Sequence, residues 1–247
     1  MGETISTLVF RPPPPTYIRP DRFFFVDVPV TDEDAYSCAG CVGFEPVPIE
    51  KETDRSKSPN STIDPLVLTG VSNTKSYRIP ATFIRRKGAT VTFLYSHGNA
   101  EDLGMMYNRM KELARILCVN IFAYDYTGYG LSRCVSDHAV HSNETTAAQP
   151  SEAMCYRNIE AAYNYLRYER KIPASSIVLY GRSLGSGPSC YLARKTAMEG
   201  ESVGGLILHS PFLSIYSIVV DLGFPIVGDM FRNDVKAKDV RYALNLD

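Results

Sequence analysis

Ser183 stands between glycines in the run Tyr180-Gly181-Arg182-Ser183-Leu184-Gly185-Ser186-Gly187, directly after the largely apolar stretch Ser176-Ile177-Val178-Leu179. A Gly-x-Ser-x-Gly run at the end of a strand can force the chain through a sharp turn into a helix. The serine hydroxyl then projects from the sheet end, where it becomes a nucleophile if a base lies within reach. The same five residues also arise in an ordinary strand–turn–helix joint, so the surrounding sequence has to decide.

Acyl transfer needs a site for the developing oxyanion as well. Ser96-His97-Gly98-Asn99-Ala100-Glu101-Asp102 follows an apolar run at Thr90 to Ser96, where such a site is expected. Gly98 lets the backbone turn tightly, so that the amide of Asn99 or Ala100 can pair with the amide of Leu184 to hold one oxygen. His97 is expected to hold this turn together rather than serve as the base. Asp125-Tyr126-Thr127-Gly128-Tyr129-Gly130-Leu131-Ser132 marks a second tight loop after the next strand. Its carboxylate is expected to bond neighbouring amides.

These loops need a sheet to carry them. Arg22 to Val28 and Tyr77 to Ile84 read as an antiparallel opening pair. From position 90 short apolar runs (Thr90–Ser96, Val119–Tyr124, Ile177–Tyr180, Leu206–Leu208) alternate with helical spacing at Asp102–Leu117, Ser151–Arg170 and Gly187–Met198. Continuous apolar strands separated by helices indicate an α/β fold: a mostly parallel, doubly wound sheet with helices on both faces. Residues 31–73 and 134–150 lack periodicity and read as loop insertions.

Composition narrows the function classes. Twenty-six basic residues face twenty-seven acidic ones, so no net field attracts nucleic acid, and any membrane attraction must be local. Six cysteines are scattered without a signal peptide ahead of them and read as reduced thiols. Cys38-Ala39-Gly40-Cys41 has half the spacing of a zinc site, with no second Cys or His pair to complete it. No metal and no cofactor is called for. The best candidate for a membrane span, Pro211 to Phe231, contains two aspartates and a proline and is not one.

His97-Gly98-Asn99-Ala100-x-Asp102, Asp125-x-x-Gly128-Tyr129-Gly130-x-Ser132, Gly181-x-Ser183-x-Gly185 and Leu208-His209-Ser210-Pro211-Phe212 occur in the order and spacing of the α/β-hydrolases. Together they most resemble the α/β-hydrolase domain-containing protein 17 group, membrane-associated serine hydrolases that remove palmitate from proteins. Phe10-Arg11-Pro12-Pro13-Pro14-Pro15-Thr16-Tyr17 is similar to the same group, and the resemblance covers most of residues 8–235.

The resemblance implies an α/β-hydrolase fold with Ser183 as nucleophile, followed in chain order by an acid and a histidine. The acid is expected on a strand after Leu206–Leu208. The chain reaches Asp247 about where that strand should begin, so the last strands, the acid and the base are expected to be missing from it. A sheet cut there exposes an unpaired edge. His209 belongs to the family's framework, although as a substitute base it would take Asp221 or Asp229 as its orienting acid; His138 and His141 fall in an insertion. The apolar stretch Phe212 to Phe231 either walls an acyl-binding groove or closes the core, and both readings stand.

Met1-Gly2-Glu3-Thr4-Ile5-Ser6 matches the N-myristoylation pattern at Gly2, and one such chain binds bilayers only weakly. Residues 1–21 are read as an N-terminal segment carrying this anchor, and 22–247 as the hydrolase domain. The resembled group anchors itself through palmitoylated cysteines near the N-terminus, and none precedes Cys38 here. The expected activity is cleavage of an ester or thioester through an acyl-enzyme on Ser183. The substrate is a lipidated protein or small acyl ester, palmitoyl-protein thioesters being favoured, and the setting is the cytoplasm or the cytoplasmic face of membranes. The alternative is a truncated or non-catalytic hydrolase scaffold that acts as a binding or membrane-associated module.

Overall fold

Two of the apolar runs become the centre of one six-stranded sheet because they are buried on both faces. β3 (Thr92–Ser96) is buried at all five positions and β4 (Asn120–Tyr124) at its last four. Such strands must be covered on both sides, and parallel pairing with crossover helices achieves it. The structure, a computed structural model, describes residues 9–17, 23–29, 76–134, 149–215 and 230–236.

β1 (Phe24–Pro29) pairs antiparallel with β2 (Ser76–Ile84), and β2 antiparallel with β4. β3, β4, β5 (Ile177–Arg182) and β6 (Gly205–His209) are mutually parallel, in the order β1-β2-β4-β3-β5-β6. The antiparallel opening and the parallel series after position 90 are both as the sequence leads one to expect.

Helix α1 (Leu103–Leu117) covers one face, with Leu103, Met106, Met110 and Ala114 packed on Phe93, Tyr95, Ile121 and Ala123. Helices α2 (Glu152–Asn164) and α3 (Ser186–Met198) cover the other, where Ile159, Ala162, Leu192 and Ala193 meet Leu94, Phe122, Tyr124 and Leu179. The period-2 alternation of β3 thus supplies both cores, Phe93 and Tyr95 to one side and Leu94 to the other.

The chain leaves β3 for β4 on one side and crosses back over β3 to reach β5. The winding direction therefore reverses at β3, and in such sheets the crevice at the carboxyl ends of the strands beside the reversal is where ligands bind. Ser96 pairs with Gly181 at that end, which brings the loops after β3 and β5 side by side.

Two details differ from the sequence expectation. The helix expected from Ser151 to Arg170 ends at Asn164 and continues as a π-helical turn over Tyr165–Glu169, which buries Leu166 and sets Tyr165 against Phe24 and Phe122. Residues 9–17, grouped in sequence with a separate N-terminal segment, belong to the same body as the sheet. Phe10 is 3% exposed and Tyr17 7%, because aromatic burial and three acceptor side chains described below tie this stretch down. Phe10 meets Phe231, which is fully buried against Tyr156 and Phe212.

Phe212, Ile215 and Phe231 are thus core residues. Residues 216–229 between them lie outside the described residues, as do Gly2, Cys38, Cys41, His138, His141, Asp221, Asp229 and the centres of both expected insertions. Among the described residues no strand pairs with the outer edge of β6, whose Leu206 and Leu208 are half-buried and whose Ile207 is exposed.

Candidate active site

β5 ends at Arg182, a single 3-10 turn covers Ser183–Gly185, and α3 begins at Ser186. Ser183 has φ +47°, the left-handed region that a β-carbon disfavours by about 1–2 kcal/mol. A non-glycine residue is held there only because the surroundings leave no alternative. The two flanking glycines show what those surroundings are. A β-carbon on Gly181 would sit 2.5 Å from the Gly185 carbonyl oxygen, and one on Gly185 would sit 2.1 Å from the Ser96 carbonyl oxygen. The turn is wedged against the end of β3, and its hydroxyl-bearing residue is thrown outward. The Ser183 side chain is half-buried and has no hydrogen-bond partner among the described residues.

The helix behind the turn is braced at its first residue. Ser186 donates its hydroxyl to the Ser183 carbonyl at 2.6 Å and accepts from Asn233 Nδ2 at 3.1 Å. The Leu184 amide lies in the first turn, where backbone N–H groups have no intrahelical acceptor.

In the loop after β3 the two candidate amides differ in their bonding. Ala100 donates its amide to Asn99 Oδ1 at 3.0 Å, so it is already committed. Among the described residues nothing accepts from the Asn99 amide. The Asn99 amide is thus the one left free in this loop, while Ala100 takes φ +56°. The Asn99 side chain is fully engaged: Oδ1 also accepts from the Arg11 amide and the Tyr129 hydroxyl, and Nδ2 donates to the Val9 carbonyl.

An ion pair that the motifs did not single out links the two loops. Glu101 Oε2 accepts from the Gly98 amide at 2.9 Å, while its Oε1 pairs with Arg182, the residue before the nucleophile. Its sequence signal was a carboxylate three residues after the loop glycine and a cation at the first variable position of Gly-x-Ser-x-Gly. Glu101→Ala is expected to cost about 1–3 kcal/mol by leaving the half-buried Arg182 unpaired and the Gly98 amide unsatisfied. The labelling rate at Ser183 should fall with it, since the loop after β3 loses its link to the Ser183 turn, whereas Glu101→Gln should retain much of that rate. Thermal unfolding and probe kinetics on the same samples check this; equal rates in wild type and the alanine variant would show that the pair does not position the loop.

Asp125 is a structural hub. It is fully buried, accepts from the Leu103 amide at 2.9 Å and the Tyr17 hydroxyl, and lies 3.3 Å from His97 Nε2 in an orientation unsuited to a formed hydrogen bond. Asp102 caps α1 by accepting from the Met105 amide, and also accepts from the Thr16 amide and hydroxyl. Asn99, Asp102 and Asp125 together hold residues 9–17 across the site. Burial raises the Asp125 pKa above the ordinary carboxylate value, with His97 and the Tyr17 bond opposing it. A raised folded-state pKa means its contribution to stability is full below the unfolded value and lost as pH rises through the folded value. Wild type should therefore gain on Asp125→Asn as pH falls from neutral toward about 4, the ordinary carboxylate value, measured as the difference in urea midpoints. A pH-independent difference would contradict this.

Neither described histidine hydrogen-bonds to the Ser183 hydroxyl. His97 is 1% exposed, has Nδ1 2.8 Å from the Gly98 carbonyl and packs on Tyr126 and Tyr129, as expected of a turn-holding residue. His209 Nδ1 lies 2.9 Å from the Tyr180 hydroxyl at the end of β6. Among the described residues no group of three or more His, Cys, Asp or Glu side chains could hold a metal, and Cys118, Cys155 and Cys190 are free. No helix among them is long and apolar enough to cross a membrane.

An antiparallel pair leading into parallel strands, order reversal at β3, and a strained serine between two obligate glycines at the end of β5 decide the architecture. This is an α/β-hydrolase fold. No family model matches the chain. It is 38% identical over 138 residues to α/β-hydrolase domain-containing protein aho-3 of Caenorhabditis elegans, covering 56% of this chain and 36% of that protein. It is 38% identical over 141 residues to α/β-hydrolase domain-containing protein 17B of Homo sapiens, covering 57% and 42%. The α/β-hydrolase of Vibrio vulnificus, at 21% identity, superposes with a TM-score of 0.46 over 66% of this chain and 51% of the other. The chain resembles the domain-containing protein 17 group and spans well under half the length of the curated relatives it matches.

Proposed function

We propose that this α/β-hydrolase chain carries the nucleophile and oxyanion site of a serine hydrolase that cleaves an ester or thioester through an acyl-enzyme on Ser183. The observation that carries this reading is Ser183 at φ +47° between two glycines that admit no β-carbon, with its hydroxyl unengaged. A strained turn of this kind has no structural use for a hydroxyl; it presents one. In the proposed step Ser183 Oγ attacks the acyl carbonyl, and the Leu184 and Asn99 amides take up the negative charge on its oxygen. The alcohol or thiol then leaves, and water releases the acid. Neither His97 nor His209 hydrogen-bonds to Ser183 in the structure, so this reading draws its base from His138, His141 or a longer polypeptide.

Palmitoyl-protein thioesters are the favoured substrates within this proposal, supported by the 36–38% identity to proteins named in the domain-containing protein 17 group. Peripheral attachment to the cytoplasmic face of a membrane, with Gly2 as a myristoylation site, belongs to the same proposal. The test is a fluorophosphonate probe followed by peptide mass spectrometry. Adduct on the peptide bearing Ser183 is expected; an intact folded chain with no adduct there would refute the reading.

A second reading is favoured by one observation, that neither described histidine hydrogen-bonds to the Ser183 hydroxyl. On it the scaffold binds acylated ligands without turnover, since a triad serine without its base loses several orders of magnitude in rate. Hydrolysis of a palmitoyl thioester substrate by the chain at a rate above that of the Ser183→Ala variant would exclude it.

A further inference from the structure

At the opposite end of the sheet from Ser183 lies a concavity of about 420 Å³, built from the connection after β2 and the connection into β5. Arg85, Arg86 and Lys87 enter it from the first and Arg170 and Lys171 from the second. No carboxylate lines it. In a chain with one more acid than base overall, five cations converging from two distant stretches of sequence, with no acid among them, are not a product of composition.

None of the five forms an ion pair among the described residues. Two of them are held in place: the guanidinium carbons of Arg85 and Arg170 lie 6.0 and 5.5 Å from the centroid of the same Phe83 ring. Stacking on an aromatic face is a favourable cation–π arrangement, but two guanidiniums on one ring repel each other, and a bound anion would relieve that repulsion. The Ser176 side chain adds a neutral hydrogen-bonding group to the same wall, and Asn120 Oδ1 braces it by accepting from the Arg86 amide at 2.9 Å. The volume falls within the range of small-ligand pockets, and arginine pairs match phosphate oxygens in geometry as well as charge.

We infer that this pocket binds a multiply charged, phosphate-bearing anion. It stands at the amino ends of β3, β4 and β5, where Asn120 opens β4 and Ser176 precedes β5, while Ser183 follows the carboxyl end of β5. A strand of five residues separates the two ends by roughly 16 Å. A ligand here does not enter the serine site, and a lipid bilayer engaged through this pocket would face away from it. The inference is independent of the proposed hydrolase activity.

Inorganic pyrophosphate titrated calorimetrically into the full chain at physiological salt is the first arm of the test. Binding is expected, and Arg85→Gln combined with Arg170→Gln should weaken it about tenfold or more. All five cationic residues are exposed, so these substitutions are expected to leave the fold intact. Arg109→Gln with Lys111→Gln on the exposed side of α1 is the control and should leave affinity unchanged. Sedimentation with phosphatidylcholine vesicles, with and without phosphatidylinositol 4,5-bisphosphate, distinguishes the sources. Vesicle binding that needs the bisphosphate headgroup and is displaced by pyrophosphate assigns the pocket to a lipid headgroup. Pyrophosphate binding without vesicle binding assigns it to a soluble anion. Absence of binding to both probes, undiminished binding in the Arg85/Arg170 variant, or an equal loss in the control overturns the inference.

Discussion

Ser183→Ala is expected to abolish fluorophosphonate labelling and to lower any acyl transfer by about 10³-fold or more, while the chain unfolds within about 0.5 kcal/mol of wild type. The two halves of this expectation have separate causes. Chemistry is lost because the nucleophilic oxygen is gone, and any stabilisation by surrounding backbone amides retains only a residual rate. Stability is kept because the Ser183 hydroxyl bonds to no described residue, so removing it leaves no partner unsatisfied. Alanine also inherits the same φ of +47°, and hence the same strain. Ser183→Gly relieves that strain, offset in part by the greater flexibility of glycine in the unfolded chain, and should be no less stable than the alanine variant. Chemical denaturation of the three proteins alongside labelling checks both halves. A Ser183→Ala variant that unfolds several kcal/mol more easily would make the serine a structural residue and remove the main support for catalysis.

Gly185→Ala is expected to show the reverse pattern, a change of one methyl group that destroys the site by disturbing the fold. The added carbon would lie 2.1 Å from the Ser96 carbonyl oxygen and 2.9 Å from that of His97, both backbone atoms at the end of the central strand. Relief requires parting the ends of β3 and β5, which are paired from Thr92 with Ile177 to Ser96 with Gly181. Forced overpacking with lost ladder bonds costs about 3–5 kcal/mol, or roughly 10 °C in melting temperature for a chain of this size. Labelling at Ser183 should fall with it, since the Asn99 and Leu184 amides sit on the two segments being separated. Gly181→Ala points the same way with a smaller effect, because part of its clash, 2.7 Å to Ser189 Oγ, is with a side chain that can rotate. An unchanged melting temperature and labelling rate for Gly185→Ala would contradict the close approach on which this account of the turn rests.

How much of this was legible beforehand depends on the range of the interaction. Strands β3 to β6 and the helices between them follow from local pattern: continuous apolar runs, helical spacing and residues such as Asp102 and Ser151, which do cap α1 and α2. Glu101 with Arg182 did not declare itself, since its members are 81 residues apart and each alone looks like a surface charge. The same holds for residues 9–17, whose run of prolines suggests a free tail. Only the convergence of the Asn99, Asp102 and Asp125 side chains shows it to be a strap across the site.

The sequence by itself determined that a serine would stand on a strand-to-helix turn and that a glycine loop would follow an earlier parallel strand. Both are properties of a few adjacent residues. It also placed His97 and Asp125 as framework, which their burial and bonding match. Which amide is free to meet an oxyanion was decided only in three dimensions. Asn99 and Ala100 are equivalent as letters, and they differ because the Asn99 side-chain oxygen Oδ1 captures the Ala100 amide while Tyr129 and Arg11 hold that oxygen in place. Hydrogen bonds are directional and the partners lie far apart in the chain, so no local pattern could make that choice.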